Sequence, residues 1–156
     1  DTAQHLGALK AGTFDAGYTL EPTATVMRLQ GIAETLETGV IARTVLGDPK
    51  ADAFVGGGVI STRFMTERPD VAKRYAAAWL KAIEDIRKEP ESARRHLLKN
   101  TLVPESAIND IPMPGFFAVA QLDDKSIAQF QRFIDFSMKL INAPETVDVR
   151  KYLKTY

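Results

Sequence analysis

The chain has 156 residues, 45% of them apolar and 26% charged, the proportions of an ordinary globular protein. Its 20 Lys and Arg balance 20 Asp and Glu, and the resulting zero net charge removes the electrostatic case for binding nucleic acid or an anionic membrane surface. Cysteine is absent, which excludes disulfides, thiolate nucleophiles and thiolate metal sites, and no apolar run approaches the roughly 18 residues that span a bilayer.

Thr2 to Lys10 reads as a helix. Leu6 and Leu9 share a side, Asp1 or Thr2 caps the start, and Gly12 suits the left-handed position beyond the end. Ala16 to Leu20 is short, apolar and flanked by turn residues, as expected of a buried strand. Pro22 fits the first position of a helix, where its missing N–H is not needed; that helix runs to about Gln30 and stops at Gly31. Thr35 to Ile41 has the character of an edge strand. LGDPKAD, residues 46–52, is polar and turn-rich and reads as a connection.

AFVGGGVIST, residues 53–62, sets β-branched residues around Gly56, Gly57 and Gly58, the pattern of a strand whose backbone something approaches closely. Pro69 opens the clearest helix, with Val71, Tyr75, Trp79, Ile83 and Ile86 recurring every three or four residues. Pro90 and Pro104 each begin a further helix. Residues 111–119 (IPMPGFFAV) form an apolar crossing segment. Asp124 caps a long helix with Ile127, Phe130, Phe133, Ile134, Met138 and Ile141 on one stripe, and the tail ends in a helical turn. Strands alternating with helices predict an α/β protein with a mostly parallel sheet. Three or four strands serving about six helices is an imbalance that points to a missing upstream half.

Candidate ligand residues follow from that topology, because open α/β sheets bind ligands beyond the carboxyl ends of their strands. Tyr18, Glu21 and Thr23 occupy such a place, with the N–H groups of Thr23 and Ala24 free at a helix start to attract anions or carbonyl oxygens. Glu21 has the alternative of merely capping the helix, and Tyr18 of filling a core. The triple glycine is neither a dinucleotide fingerprint nor a phosphate loop, since the spacing and the following G-K-[ST] are absent; it is either a ligand-facing backbone or a bulged strand. His5 and His96 have no second ligand at helical spacing, so no metal is expected. Ser61 and Ser92 lack a nucleophile elbow, and Arg94-Arg95 reads as a solvated helix face. No acid, base and nucleophile assemble, so no catalytic residue and no cofactor is expected.

GALKAGTFDAGYTLEP, residues 7–22, resembles the stretch AL-x-x-G-x-x-D-A-x-x-x-x-E/D-P of solute-binding proteins of ABC importers, in the group for nitrate, sulfonates, taurine and thiamine-precursor pyrimidines. The segments beginning GGGVISTRFMTERPDVAKRY, LLKNTLVPESAI and SIAQFQRFIDFSMKLINAPETVDVRKYL are similar to later stretches of that family in the same order, covering nearly the whole chain. The resemblance implies the C-terminal part of a type II periplasmic binding protein, with two parallel-sheet lobes covered by helices. Residues 1–50 would belong to the second lobe, 51–56 to a hinge crossing, and 57–156 to the first lobe with its terminal helices. It further implies a periplasmic or lipid-anchored protein that captures a small polar solute between lobes and delivers it to a membrane permease. Tyr18, Glu21 and Thr23 match one edge of that cleft, and Gly57 and Gly58 the other. Some members of the wider group are enzymes of pyrimidine synthesis that rely on a cysteine-rich signature, which this sequence lacks. A sensory or partner-binding domain is the remaining alternative.

Overall fold

Helices form where apolar spacing coincides with a start signal. The computed structural model describes every residue except Asp1, Val55 and Leu102, and of Thr2 and Ala3 the backbone alone. Among the described residues six α-helices follow in order: α1 (Thr2–Lys10), α2 (Thr23–Leu29), α3 (Thr62–Glu67), α4 (Pro69–Lys88), α5 (Pro90–Asn100) and α6 (Asp124–Leu140). Ser61 caps α3 by accepting from the Phe64 N–H at 3.2 Å, and Asp123 caps α6 by accepting from Ser126 at 2.7 Å. Pro90 occupies the first turn of α5. Beyond Pro104 the helix predicted there shrinks to a single tight turn, Glu105–Ala107.

The α/β expectation, with its parallel-sheet lobes, is overturned. About 55% of the chain is helical, and no strand occurs among the described residues. Ala16–Leu20, Thr35–Gly39 and the described part of 53–61 are irregular, while Val40 is helical and leads into Ile41–Val45, a widened turn closed by Leu46 N–H to Ile41 C=O at 3.0 Å. Val55, inside both the expected strand and the expected crossing, lies outside the described residues, as does the expected cap Asp1. The physical reason is that a strand is defined by its neighbour. An apolar run signals residues that gain from cover, but the backbone stays irregular unless a second strand accepts its N–H and C=O groups. Gly17 and Gly56 to Gly58 add to this, because glycine loses the most freedom on being extended.

The described residues group into two units. The first comprises Asp1–Thr38 and Asp85–Gly115, the second Gly39–Glu84 and Phe116–Tyr156. In the first, α1 packs on α2, and α2 packs on the Glu105–Ala107 turn. Its core is Val103, Ala107 and Ile111, with Val26 of α2 and Ile108 laid against it. Arg94 of α5 fastens this irregular segment: its Nη1 donates to the Ile108 carbonyl at 2.8 Å and to the Ile111 carbonyl at 2.6 Å.

In the second unit α6 plays the corresponding part. Its Arg132 Nη1 donates to the Leu46 carbonyl at 3.0 Å. Its Gln131 donates to the Val147 carbonyl at 2.7 Å and accepts from the Val149 N–H at 2.9 Å, so one amide seizes the tail by two backbone groups. Gln131 also donates to Asp135 at 2.8 Å, which in turn accepts from the Thr146 hydroxyl. Ala42, Val45, Leu46 and Val149 are buried beside these fastenings, and Phe54 meets the Phe130 ring at 5.3 Å. Gly47 has φ +72°, and a Cβ there would lie 3.2 Å from the Arg132 guanidinium.

Gly47→Ala therefore places a side chain in the left-handed region and against Arg132. The expected loss is about 1–2 kcal/mol, read from the urea midpoint of Trp79 fluorescence, because the one tryptophan lies in this unit.

A second outcome concerns acid. The Lys125 ammonium, 2.9 Å away, and the Lys50 N–H hold the Asp48 carboxyl below its ordinary value of 3.8. The Ser126 N–H does the same for Asp123, and Thr146 with Gln131 for Asp135. A carboxyl lowered by folding stabilises the folded state above 3.8, and that contribution is lost as the pH falls from 3.8 through the lowered value. Trp79 fluorescence should show the second unit losing stability in that window, and Asp48→Asn should flatten the dependence.

Candidate functional site

The turn between α1 and α2 holds three of the residues singled out above. His5 of α1 and Thr19 hydrogen-bond through Nδ1 and Oγ1 at 3.0 Å, tying the segment before α2 to the preceding helix. One residue earlier, the Tyr18 side chain is 58% exposed. Its hydroxyl makes no hydrogen bond among the described residues. A ring of this size gains by covering apolar surface, and here that cover is still to be supplied.

Glu21 stands at the foot of α2, across a cis peptide bond to Pro22. Its Oε2 accepts from the Thr25 N–H at 3.1 Å, so capping is its demonstrable role. The second carboxylate oxygen makes no hydrogen bond among the described residues, and the side chain is exposed. The Ala24 N–H, predicted to be free, donates to the Leu20 carbonyl at 3.2 Å. Thr23 is half-buried at the first turn, and Pro22 acts as the flanking residue rather than the first helical one.

Gly57 and Gly58 belong to the second unit and are exposed. A Cβ on Gly58 would lie 3.0 Å from Trp79 Cε2, so that glycine is where the backbone runs against the indole. Gly57 has nothing within 4 Å of its Cβ position. Tyr18, Glu21 and Thr23 thus form one local group, while the two glycines form another in a different unit.

The first unit also contains a cavity that the sequence reading passed over. It has a volume of about 250 Å³ and is lined by Glu91, Arg94, Arg95 and Leu98 of α5 and by Ile108 and Asn109. The four α5 residues fall at i, i+3, i+4 and i+7, one face of a helix, which is the signal that Arg94-Arg95, read as solvated, did contain. The opposite wall depends on contacts 14 and 17 residues away in sequence, and no local pattern announces those. Among the described residues no group of three or more His, Cys, Asp or Glu is placed to hold a metal, and no helix is long and apolar enough to cross a membrane. No protein-family model matches the chain, and no curated protein and no solved structure matches it.

Arg94 builds the cavity wall as well as the core segment behind it. Arg94→Met should leave the Ile108 and Ile111 carbonyls without their donor, at about 1–3 kcal/mol. Arg94→Lys should recover only part of the loss, because an ammonium does not present the planar fork that reaches both. Hydrogen exchange of α5 and α2 amides under native conditions measures both variants.

Proposed function

We propose that the chain captures a small polar solute without transforming it, through Tyr18, Glu21 and Thr23, and hands the solute to a membrane permease of the ABC importer kind. The observation that carries this reading is the Tyr18-to-Thr23 turn. An open aromatic face stands three residues from a carboxylate that has one oxygen fixed by the Thr25 N–H and the other unengaged. An aromatic plane supplies contact area, and a fixed polar group supplies orientation, which is what reversible binding of a small solute needs. The cap on Glu21 lowers the entropy lost on binding, since the side chain is already held.

The ordered likeness to solute-binding proteins supports the same reading along nearly all the sequence. It implies a protein of the periplasm or on a lipid anchor at the cell surface, with a sulfonate, nitrate, taurine or a pyrimidine as solute. The proposal rests on the turn and does not call for a sheet-built lobe. Gly57 and Gly58, the other expected contacts, belong to the second unit, and the proposal does not draw on them.

A thermal-shift screen of nitrate, taurine, alkyl sulfonates and pyrimidines checks the proposal. A true ligand at a hundredfold excess over its Kd should add about 2.7 kcal/mol of stability. Tyr18→Ala should weaken that ligand about tenfold, as expected for a lost aromatic contact, with the unliganded melting point nearly unchanged because the side chain is exposed. Silence from every compound class, or a response indifferent to Tyr18, would refute it.

A further inference from the structure

The cavity on α5 differs in kind from the Tyr18 turn, because two arginines and one glutamate supply its charged groups and one of the arginines is locked in place. Arg94 is held on three sides. Its Nη1 donates to two carbonyls, and its Nε lies 3.4 Å from Glu91 Oε2. The side chain is only 14% exposed. Its remaining nitrogen, Nη2, makes no hydrogen bond among the described residues, and no buried polar side-chain atom is left without a partner among them, so this edge faces solvent. Arg95, the next residue, lines the same cavity and makes no ion pair or hydrogen bond among the described residues; neither does the Asn109 side chain. A guanidinium edge already immobilised spends little entropy on a planar oxyanion.

Size and charge narrow the occupant. A volume of about 250 Å³ lies just below the range of drug-sized pockets, which suits a small ligand. Two guanidiniums against one carboxylate leave a single net positive charge, which matches a monoanion. Leu98 and Ile108 give the wall an apolar part that inorganic anions cannot use.

We propose that this cavity binds a small organic carboxylate, its charged end on Arg94, Arg95 and the Asn109 amide and its short hydrocarbon part against Leu98 and Ile108. The site is independent of the Tyr18 turn, so it stands or falls on its own. A ligand of a few heavy atoms binds weakly, in the millimolar range, given the ceiling on energy per atom.

The test is an amide and arginine-side-chain chemical-shift titration of the whole chain with sodium butyrate, acetate, inorganic phosphate and butylamine at constant ionic strength. Butyrate should give saturable shifts at Arg94, Arg95, Leu98 and Asn109, acetate weaker ones and butylamine none. Arg95→Ala should weaken butyrate about tenfold, the worth of one charge-assisted hydrogen bond, and Arg95→Lys should restore part of it. Arg95 has no partner within the chain among the described residues, so both variants should keep the wild-type spectrum elsewhere. Asn109→Ala is a second, milder variant with the same direction. Tyr18→Ala should leave the titration unchanged. Phosphate binding as tightly as butyrate would overturn the proposal, as would shifts that do not saturate or that survive Arg95→Ala and Asn109→Ala together.

Discussion

A fold made of helices joined by long irregular segments has to find partners for the backbone of those segments. Helices satisfy their own N–H and C=O groups and offer few to anyone else. With no sheet ladder among the described residues, the carbonyls at Ile108, Ile111, Leu46 and Val147 depend on side chains. Each unit meets the demand in the same way, with a long planar side chain projecting from a helix: Arg94 from α5, Arg132 and Gln131 from α6. Planar groups with several donors suit this task, because one side chain can hold two backbone groups in a fixed geometry. The apolar contacts follow from these fastenings. Val103, Ala107 and Ile111 come together because Arg94 draws their segment onto α5, and Leu46 and Val149 are buried where α6 holds the chain on either side of them.

This explains which parts of the structure were legible. The helices were, because a helix is closed within its own sequence: Pro69 opens α4, Pro90 enters α5, and the Asp123–Asp124 pair starts α6 within one residue of the predicted cap. Gly12 and Gly31 adopt the left-handed geometry their positions imply, with φ of 67° and 64°. The strands were not legible, because nothing in residues 16–20 or 53–62 states whether a neighbour exists to pair with them. Apolar character was read as sheet when it only recorded a demand for cover. Leu20 and Val59 remain exposed in the result, so that demand is met only in part by the described residues.

The candidate sites divide along the same line. The capping role of Glu21 lies within four residues and could be read from Glu-Pro ahead of an apolar helix. The α5 cavity could not, since a third of its lining is Ile108 and Asn109, brought over by a guanidinium whose targets lie a full helix length further along. Arg94 and Arg95 are neighbours in sequence with opposite fates, one drawn inward and one left open, and the local pattern treats them alike. The pairing of Gly58 with the Trp79 indole is a similar case, 21 residues apart, in which a close approach was anticipated from the glycines but its partner was not.

The two candidate sites of the first unit share a mechanical base, and this sets how ligand binding would be felt. α2 leads out of the Tyr18–Thr23 turn and lays Val26 on the core formed by Val103, Ala107 and Ile111. The cavity wall at Ile108 and Asn109 belongs to the segment that carries that core, and Arg94 binds the same segment from the other side. A molecule held at either place raises the free energy of opening this small core, because opening would release it. The core is thin, with its three buried residues all of modest size, so its own opening free energy is low and a ligand's contribution is a large fraction of the total. Binding at one candidate site would therefore favour the folded geometry of the other, with no displacement of either, simply because both require the 103–111 segment to stay on α5 and α2.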